Sequence, residues 1–340
     1  MDSDLVKLGS SKIELKGDPM TNIRDIAKMA KVSSTTVSRV LNDHPYVSEE
    51  KRAAVMRVIE ESNYRVNINA IHLSKGKTFL IGVVLPYANH PYFGQLIEGI
   101  ASKAVENNYN LLLFQTKYEI DKEQEALSML KRKQIDALII CSRASEWNMI
   151  KDYTRYGTIV LFEDVKEKKV SSTFVDHYKT FTIALNYLYE KGHKKIGYCI
   201  GRRTGTNSKQ RELAYRDFLK RINRPFMRDY IIDNCLYFED GEYVINKMHE
   251  MVDAPTALLV TSDQVASGIL AYCGGSKNIS VPNDLALIGF DNQPIAKVLG
   301  ITTIEINLVE AGEKLFLQAV NEKTVSKEEI PSKLIERRTV

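Results

Sequence analysis

The stretch VSSTTVSRVLN, residues 32–42, carries five Ser or Thr side chains and three Val side chains in eleven positions. That composition favours a strand or a loop, because β-branched residues fit pleated sheets and Ser competes for helical hydrogen bonds. The spacing indicates otherwise. Val37, Val40 and Leu41 recur at i, i+3 and i+4, which places them on one face of a helix. We therefore predict a helix here, against its composition.

Helical spacing continues on both sides of this stretch. A helix is predicted before it, and a third helix is predicted after Ser48, a candidate N-cap that precedes Glu49 and Glu50. The residues that these two helices are predicted to bury are Ile23, Ile26, Ala27 and Ala30 in the first, and Val55, Val58 and Ile59 in the third. No strand pattern occurs between residues 21 and 64, so this segment is predicted to be entirely helical.

The predicted middle helix turns its polar side chains away from its apolar face. The outward set is Ser34, Thr35, Ser38, Arg39 and Asn42. Together with the short connection KVS, the pattern is typical of a helix-turn-helix. Short hydroxyl side chains let a helix lie deep in the DNA major groove, and Arg can donate two hydrogen bonds to guanine. On pattern alone, a small helical cap with a solvated polar face is an alternative.

Charge is concentrated in the same segment. Residues 21–78 contain ten Lys or Arg against six Asp or Glu, whereas the whole chain carries a formal net charge of +4. A local excess of positive charge is what contacts with DNA phosphates require.

From Phe79 onward, short apolar runs alternate with amphipathic helical stretches. Eight runs are predicted to be strands: FLIGVVLP, NLLLFQT, DALIICS, TIVLFED, STFVD, KIGYCIG, TALLVTS and LALIGFD. Strands that alternate with helices predict parallel sheets covered on both faces. Eight of them over roughly 230 residues fit two doubly wound subdomains better than one sheet.

Several classes of protein are disfavoured. The longest apolar runs are too short to cross a bilayer, and residues 1–19 lack the pattern of a secretory signal, so we expect a cytoplasmic protein. The four cysteines form no CxxC or Cys/His cluster, so we expect free buried thiols, no metal and no cofactor. The motifs GxGxxG, GxxxxGK[ST], HExxH and GxSxG are absent, so we do not expect an enzyme.

The run NIRDIAKMAKVSSTTVSRVLND, residues 22–43, resembles the amino-terminal headpiece of the LacI/GalR family of bacterial repressors nearly letter for letter. The following VSEEKRAAVMRVIEESNYRVN resembles the third helix of that headpiece and its approach to a hinge. The resemblance extends from about Thr21 to the last residue.

This resemblance implies a DNA-binding set. Ser34 and Thr35 match the two most operator-discriminating positions, and Leu73 in NAIHLSKG matches the residue that wedges into the minor groove. The set is Ser34, Thr35, Thr36, Ser38, Arg39, Asn42 and Leu73, with Thr36 and Ser38 as contacts to the DNA backbone. On pattern alone, Leu73 is a linker residue packed on the core. Ile71 stands where the family often has Arg, which removes one phosphate contact.

The fold class implied is an α-helical helix-turn-helix headpiece plus a periplasmic-binding-protein-like α/β domain of two doubly wound parallel-sheet subdomains. We expect a disordered leader at 1–19, the headpiece at 20–65, a hinge linker at 66–78 and the effector-binding and dimerisation domain at 79–340. The first subdomain spans about 79–176 and 307–328, and the second spans about 177–306 and 329–340.

In such domains a ligand lies between the subdomains, beside the carboxyl ends of strands. The predicted effector contacts are Asn89, Tyr92, Phe93, Glu163, Arg211, Tyr237, Ser262 and Asp291. Carboxylates together with Arg suit a ligand rich in hydroxyl groups, and the aromatic rings could stack on a sugar ring. Structural alternatives exist: Asp291 could cap the next turn, and Phe93 could be core.

The sequence departs from the family pattern near the predicted cleft. His177 replaces a usual Asn, Phe181 replaces a usual Gly, and Ile306 stands where some sugar-responsive members have a polar residue. Arg202 and Arg203 follow YCIG, where Gly-Pro is common. We expect these two side chains to face solvent, and the alternative is that they favour a phosphorylated or acidic effector.

We therefore hypothesise that the protein is a transcriptional repressor that binds a pseudo-palindromic operator as a homodimer. When bound to DNA, it would be located at the nucleoid. A small molecule, with a sugar or sugar phosphate favoured, would control operator affinity. Alternatives are a catabolite regulator controlled by a corepressor or a phosphocarrier-type partner protein, and a solute-binding or enzymatic α/β protein without DNA function. The chain stops after LIERRTV without a heptad tail, which favours a dimer over a tetramer.

Overall fold

The computed structural model describes residues 22–41, 43–62, 64, 76–166, 169–275, 279–321 and 324–340. The predicted DNA contacts Asn42 and Leu73, the leader, and residues 66–75 of the predicted hinge lie outside the described residues. The chain divides into two compact units, Met1–Lys75 and Gly76–Val340.

The described part of the first unit contains three helices, α1 (Ile23–Met29), α2 (Ser34–Leu41) and α3 (Glu49–Glu61). Their core consists of the buried side chains Ile26, Ala27, Val37, Val40, Val55 and Val58. The predicted helix at the hydroxyl-rich stretch is therefore confirmed, because Val37 and Val40 face the core and outweigh the poor helix propensity of Ser and Thr.

Local hydrogen bonds fix the helix starts of this unit. Asn22 and Asp25 form a capping box at the start of α1. The backbone N–H of Thr36 donates to Oγ of Ser33 at 3.1 Å, which caps the start of α2. Ser48 lies at the N-cap of α3 as predicted, but its side chain makes no capping hydrogen bond.

The second unit contains two six-stranded sheets. The first sheet has the order β11-β5-β4-β3-β1-β2, and all its pairings are parallel. Its strands are β1 (Leu80–Leu85), β2 (Asn110–Gln115), β3 (Ala137–Ile140), β4 (Thr158–Leu161), β5 (Ser172–Phe174) and β11 (Lys327–Glu329). We call the half of the unit built on this sheet the first lobe.

The second sheet has the order β12-β10-β9-β8-β6-β7 and is parallel except for the β10–β12 pair. Its strands are β6 (Ile196–Cys199), β7 (Ile231–Ile232), β8 (Ala257–Val260), β9 (Ala286–Phe290), β10 (Thr302–Ile306) and β12 (Ser332–Ile335). We call the half built on this sheet the second lobe. The chain thus passes from one sheet to the other after β5, after β10 and after β11.

Helices alternate with these strands. They are α4 (Pro91–Glu106), α5 (Ile120–Lys131), α6 (Trp147–Ile150), α7 (His177–Glu190), α8 (Thr206–Arg221), α9 (Asp240–Glu250), α10 (Asp263–Gly275), α11 (Pro294–Leu299) and α12 (Leu308–Val320), with 3-10 turns at Lys151–Arg155 and Arg228–Tyr230. The predicted fold class, a helical headpiece with two doubly wound parallel-sheet subdomains, is confirmed.

Each of the eight predicted runs contains a strand, but four strands were not predicted. β7 has only two residues, and β11 and β12 are charged edge strands with the sequences KEE and SKLI. Short, polar edge segments carry little hydrophobic pattern, so their pairing depends on the neighbouring strand. β10 (TTIEI) also lacks a continuous apolar run.

Candidate functional site

A cavity of about 340 Å³ lies between the two lobes. Its lining includes residues that directly follow β3 and β4 of the first sheet, and β6, β8 and β9 of the second sheet. The carboxyl edge of a parallel sheet is where loops are free to present side chains, so both lobes contribute polar groups to one cleft.

Six of the eight predicted effector residues line this cavity: Tyr92, Phe93, Glu163, Arg211, Ser262 and Asp291. The other two, Asn89 and Tyr237, are not part of the lining. They contact each other instead, since the phenol hydroxyl of Tyr237 donates to Oδ1 of Asn89 at 3.3 Å. This hydrogen bond joins the second lobe to the first.

Arg211, on α8, is held by a buried histidine. Nη2 of Arg211 donates to Nδ1 of His177 at 3.3 Å. Burial, and then the charge of Arg211, lower the pKa of His177 well below its ordinary value, so the imidazole is neutral and can accept this bond. Nε of Arg211 is buried and has no hydrogen-bond partner among the described residues. Arg211 therefore retains a donor for a bound molecule.

Asp291 is buried and adopts a φ of +93°, a backbone region that side chains other than Gly rarely occupy. Its backbone N–H donates to the carbonyl of Ile304 at 2.8 Å, which holds the turn after β9. Burial, and then the neighbouring Asp263, raise the pKa of Asp291 well above its ordinary value, while Arg211 opposes that shift. A protonated carboxyl group here can both donate to and accept from a ligand hydroxyl.

Asp263 is a buried neighbour of Asp291. Its two carboxylate oxygens accept from the hydroxyl of Thr303 and from the backbone N–H of Gln293, both at 2.7 Å. Burial raises the pKa of Asp263 to about 7, and these hydrogen bonds partly counteract the rise. Oδ1 of Asp263 fills the space where a Cβ at Gly289 would lie, so Gly289 is required there.

Aromatic side chains form one wall of the cleft. Tyr92 packs edge-on against Phe93 with ring centroids 5.0 Å apart, and lies 6.3 Å from the ring of Phe162. Burial raises the pKa of Tyr92, so its hydroxyl stays protonated. Such a wall can stack on a ring and still offer one hydrogen-bonding hydroxyl.

Two arginines of the cleft were not among the predicted site residues. Arg143 follows β3, and its Nε donates to Glu163 at 2.6 Å. Arg202 also lines the cavity, so the expectation that it faces solvent was wrong, whereas Arg203 pairs with Glu212 at 2.9 Å outside the lining. The sequence could have indicated both arginines as cleft residues, because each lies within three positions after the carboxyl end of a strand, as Glu163 does.

The outward face of α2 in the first unit is a second candidate surface. Ser34, Thr35, Ser38 and Arg39 are exposed. Thr36 is half-buried, and its hydroxyl lies 2.9 Å from that of Ser33. Short polar groups beside one guanidinium make a narrow surface able to enter a DNA groove.

Metal-binding clusters and membrane-spanning helices are both lacking in the described part of the chain. Within it, no group of three or more His, Cys, Asp or Glu side chains could hold a metal ion. Among the same residues, no helix combines the length and apolar character needed to cross a membrane.

Two family models match the chain. Residues 22–67 match the model for bacterial regulatory proteins of the lacI family. Residues 78–338 match the model for periplasmic binding proteins and the sugar binding domain of the LacI family.

Similar proteins and a similar solved structure indicate the same family. The chain is 42% identical over 321 residues to YkvZ, an uncharacterized HTH-type transcriptional regulator of Bacillus subtilis (strain 168), covering 94% of this chain and 98% of that protein. It is 37% identical to Catabolite control protein B of the same strain, covering 88% and 95%. The fold resembles the lac repressor dimer bound to operator and the anti-inducer ONPF, with a TM-score of 0.80, 20% identity, and 94% and 99% of the chains covered. The chain therefore belongs to the LacI family of bacterial transcriptional regulators.

Proposed function

We propose that this regulator represses transcription by binding a pseudo-palindromic operator as a homodimer, and that a small hydroxyl-rich molecule in the cleft sets its operator affinity. The observation that carries the proposal is the pairing, in one chain, of an exposed hydroxyl-rich helix with a polar interlobe cleft. The cleft serves binding and performs no chemical step. The protein acts at bacterial DNA in the cytoplasm.

On DNA, Ser34 and Thr35 contact base edges, and Arg39 contacts a base or a phosphate. Thr36 and Ser38 contact the backbone, and Asn42 belongs to the same predicted set of contacts. Leu73 enters the minor groove at the centre of the operator. Because Ser34 and Thr35 have short side chains, Arg39 and Leu73 carry much of the sequence discrimination. Ligand in the cleft changes the angle between the lobes, and the change couples to operator affinity by roughly 1–3 kcal/mol.

The DNA-binding proposal is tested with operator sequences selected from a random DNA library and measured by gel shift. Arg39→Ala should weaken binding to the selected sequence by about 1–3 kcal/mol and relax its specificity. Arg57→Ala removes an exposed charge from α3 and is the charge-matched control. Equal losses in both variants, or no sequence-specific binding at moderate salt, would contradict the proposal.

The cleft proposal favours a sugar or sugar phosphate. Arg211 supplies a free buried donor, Asp291 can donate and accept, and Tyr92 offers an aromatic wall. A thermal-shift screen against sugars, sugar phosphates and nucleobases should give a shift with a carbohydrate, and Arg211→Ala or Asp291→Ala should abolish it. Retained binding in both variants would contradict the assignment of the site, and a shift with nucleobases alone would contradict the ligand class.

A second candidate is control by a partner protein, favoured by the similarity to Catabolite control protein B. In this alternative a phosphocarrier-type protein acts as corepressor. Adding such a protein to the gel shift would increase operator affinity without any small molecule, which the effector proposal does not predict.

A further inference from the structure

The side chains that line the cleft include more cationic groups than acidic groups. The cationic ones are Arg143, Arg202, Lys209 and Arg211, and the acidic ones are Glu146, Glu163 and Asp291. Glu163 is already paired with Arg143 at 2.6 Å. Asp291 is buried beside Asp263, which disfavours its negative charge. The cleft therefore presents an excess of positive charge to whatever it binds.

Part of this positive charge lies at the start of α8. Arg202 lies over the ring of Tyr118 with its guanidinium carbon 3.7 Å from the ring centroid, and its Nη2 donates to the carbonyl of Arg143 at 3.2 Å. These contacts hold the guanidinium plane while leaving further N–H groups available. Lys209 lines the cavity one turn into the helix and is exposed.

The opposite lobe contributes a second guanidinium to the same place. Arg143 belongs to the first lobe, and its Nη2 donates to the hydroxyl of Thr206, the first residue of α8, at 3.3 Å. An anion at this point would thus contact both lobes at once. Such a group ties ligand binding to the separation of the lobes.

The helix start itself is left open. Gly205 is the N-cap of α8 at a φ of +113°, and no side chain caps the helix. The hydroxyl of Ser208, which could have turned back to cap, donates instead to the carbonyl of Arg202 at 2.6 Å. A Cβ at Gly205 would lie 2.8 Å from Nη2 of Arg202, so only Gly allows the guanidinium to approach the helix start. Uncapped N–H groups of a helix start favour an anion.

A separate observation points to a ligand reaching further down the same helix. Nε of Arg211 is buried without a partner among the described residues. Arg211 lies five positions after Thr206, which corresponds to roughly 7.5 Å along a helix axis. The ligand must therefore offer one group to Arg211 and another, several bonds away, to the start of α8.

We propose that the effector is a phosphomonoester of a sugar or related polyol, with its phosphate at the start of α8 between Arg202, Lys209 and Arg143, and its hydroxyl-bearing body on Arg211 and Asp291. Phosphate is favoured over carboxylate because its three terminal oxygens can accept from several convergent donors, whereas a planar carboxylate has two. This inference rests on the proposed cleft-controlled function and specifies its ligand.

The test uses the full-length protein and isothermal titration calorimetry. The probes are glucose 6-phosphate, fructose 6-phosphate and mannose 6-phosphate, each compared with its unphosphorylated hexose, together with inorganic phosphate and gluconate. We expect at least one phosphate ester to bind more than about tenfold tighter than its hexose. Arg202→Ala should remove most of that advantage, so that the phosphate ester and its hexose bind this variant with similar affinity.

Arg203→Ala is the matched control, because this neighbouring arginine pairs with Glu212 outside the cavity. It should bind the phosphate ester like the wild type. The inference fails if Arg202→Ala binds the ester as tightly as the wild type, if gluconate or an uncharged ligand binds best, or if neither phosphate nor any ester binds. Operator binding of the ligand-free protein, measured by gel shift, separates the two proposals. If the ligand-free protein binds no operator, the regulator proposal fails. If it binds operator, the failure is confined to the phosphate subsite.

Discussion

At the scale of single residues, several buried groups at the cleft have unusual protonation states. His177 is buried and neutral, which lets it accept from Arg211 and direct the remaining donors into the cavity. After burial, the nearby charge of Asp263 is the next cause that raises the pKa of Asp291. Removing one partner of such a network leaves the other buried and unsatisfied, so its residues act as a unit.

Asp263→Asn gives a prediction about pH. In the unfolded chain this carboxyl ionises near pH 4, whereas the folded protein keeps its proton until about pH 7. The folded state therefore binds more protons between these values, and the wild type loses stability as pH rises through them. Asn cannot titrate, so the stability of the variant relative to wild type should increase from pH 4 to 7, by up to about 1.4 kcal/mol per unit. Urea unfolding across this range measures it, and a pH-independent difference would contradict the assigned shift.

At the scale of elements, two helices of the first lobe touch through their backbones. A Cβ at Gly99 of α4 would lie 2.0 Å from the carbonyl oxygen of Val309 on α12, and a Cβ at Gly312 would lie 2.2 Å from that of Leu96. Backbone atoms cannot turn aside as a flexible side chain can, so both glycines are needed for this close crossing. The crossing joins α12, late in the chain, to the first lobe.

Gly99→Ala should therefore destabilise the second unit by at least about 2 kcal/mol, because the two helices would have to move apart. Gly94 lies in the same helix, and a Cβ placed there would have open space within 4 Å, so Gly94→Ala is the matched control. That substitution should instead raise stability by up to about 1 kcal/mol, through helix propensity. Chemical unfolding of both variants compares them, and similar effects from the two substitutions would argue against the close crossing.

At the scale of the molecule, the two compact units have separate hydrophobic cores. The described core of the first unit consists of six buried apolar side chains from three short helices, whereas the second unit holds several larger clusters. Small cores bury a smaller fraction of their surface and are only marginally stable. The first unit should therefore unfold at a lower temperature than the second.

Scanning calorimetry should accordingly show two transitions. A ligand stabilises only the unit that binds it, so a cleft ligand should raise the upper transition and operator DNA should raise the lower one. At a ligand concentration about 100-fold above its Kd, the expected stabilisation is about 2.7 kcal/mol. A single transition that both ligands shift equally would contradict independent unfolding.

The sequence by itself determined the helical headpiece and its outward hydroxyl face, because a 3.6-residue period in the apolar positions fixes which side is buried, whatever the composition. It also determined eight of the strands, and with them the residues that follow each strand, including Glu163 and Asp291. Only the tertiary structure decided which of those residues share a cavity. It paired Asn89 with Tyr237, brought Arg202 into the cleft and added the charged edge strands. The reason is that side-chain direction after a strand and the pairing of polar edges depend on contacts between distant parts of the chain, which no local pattern encodes.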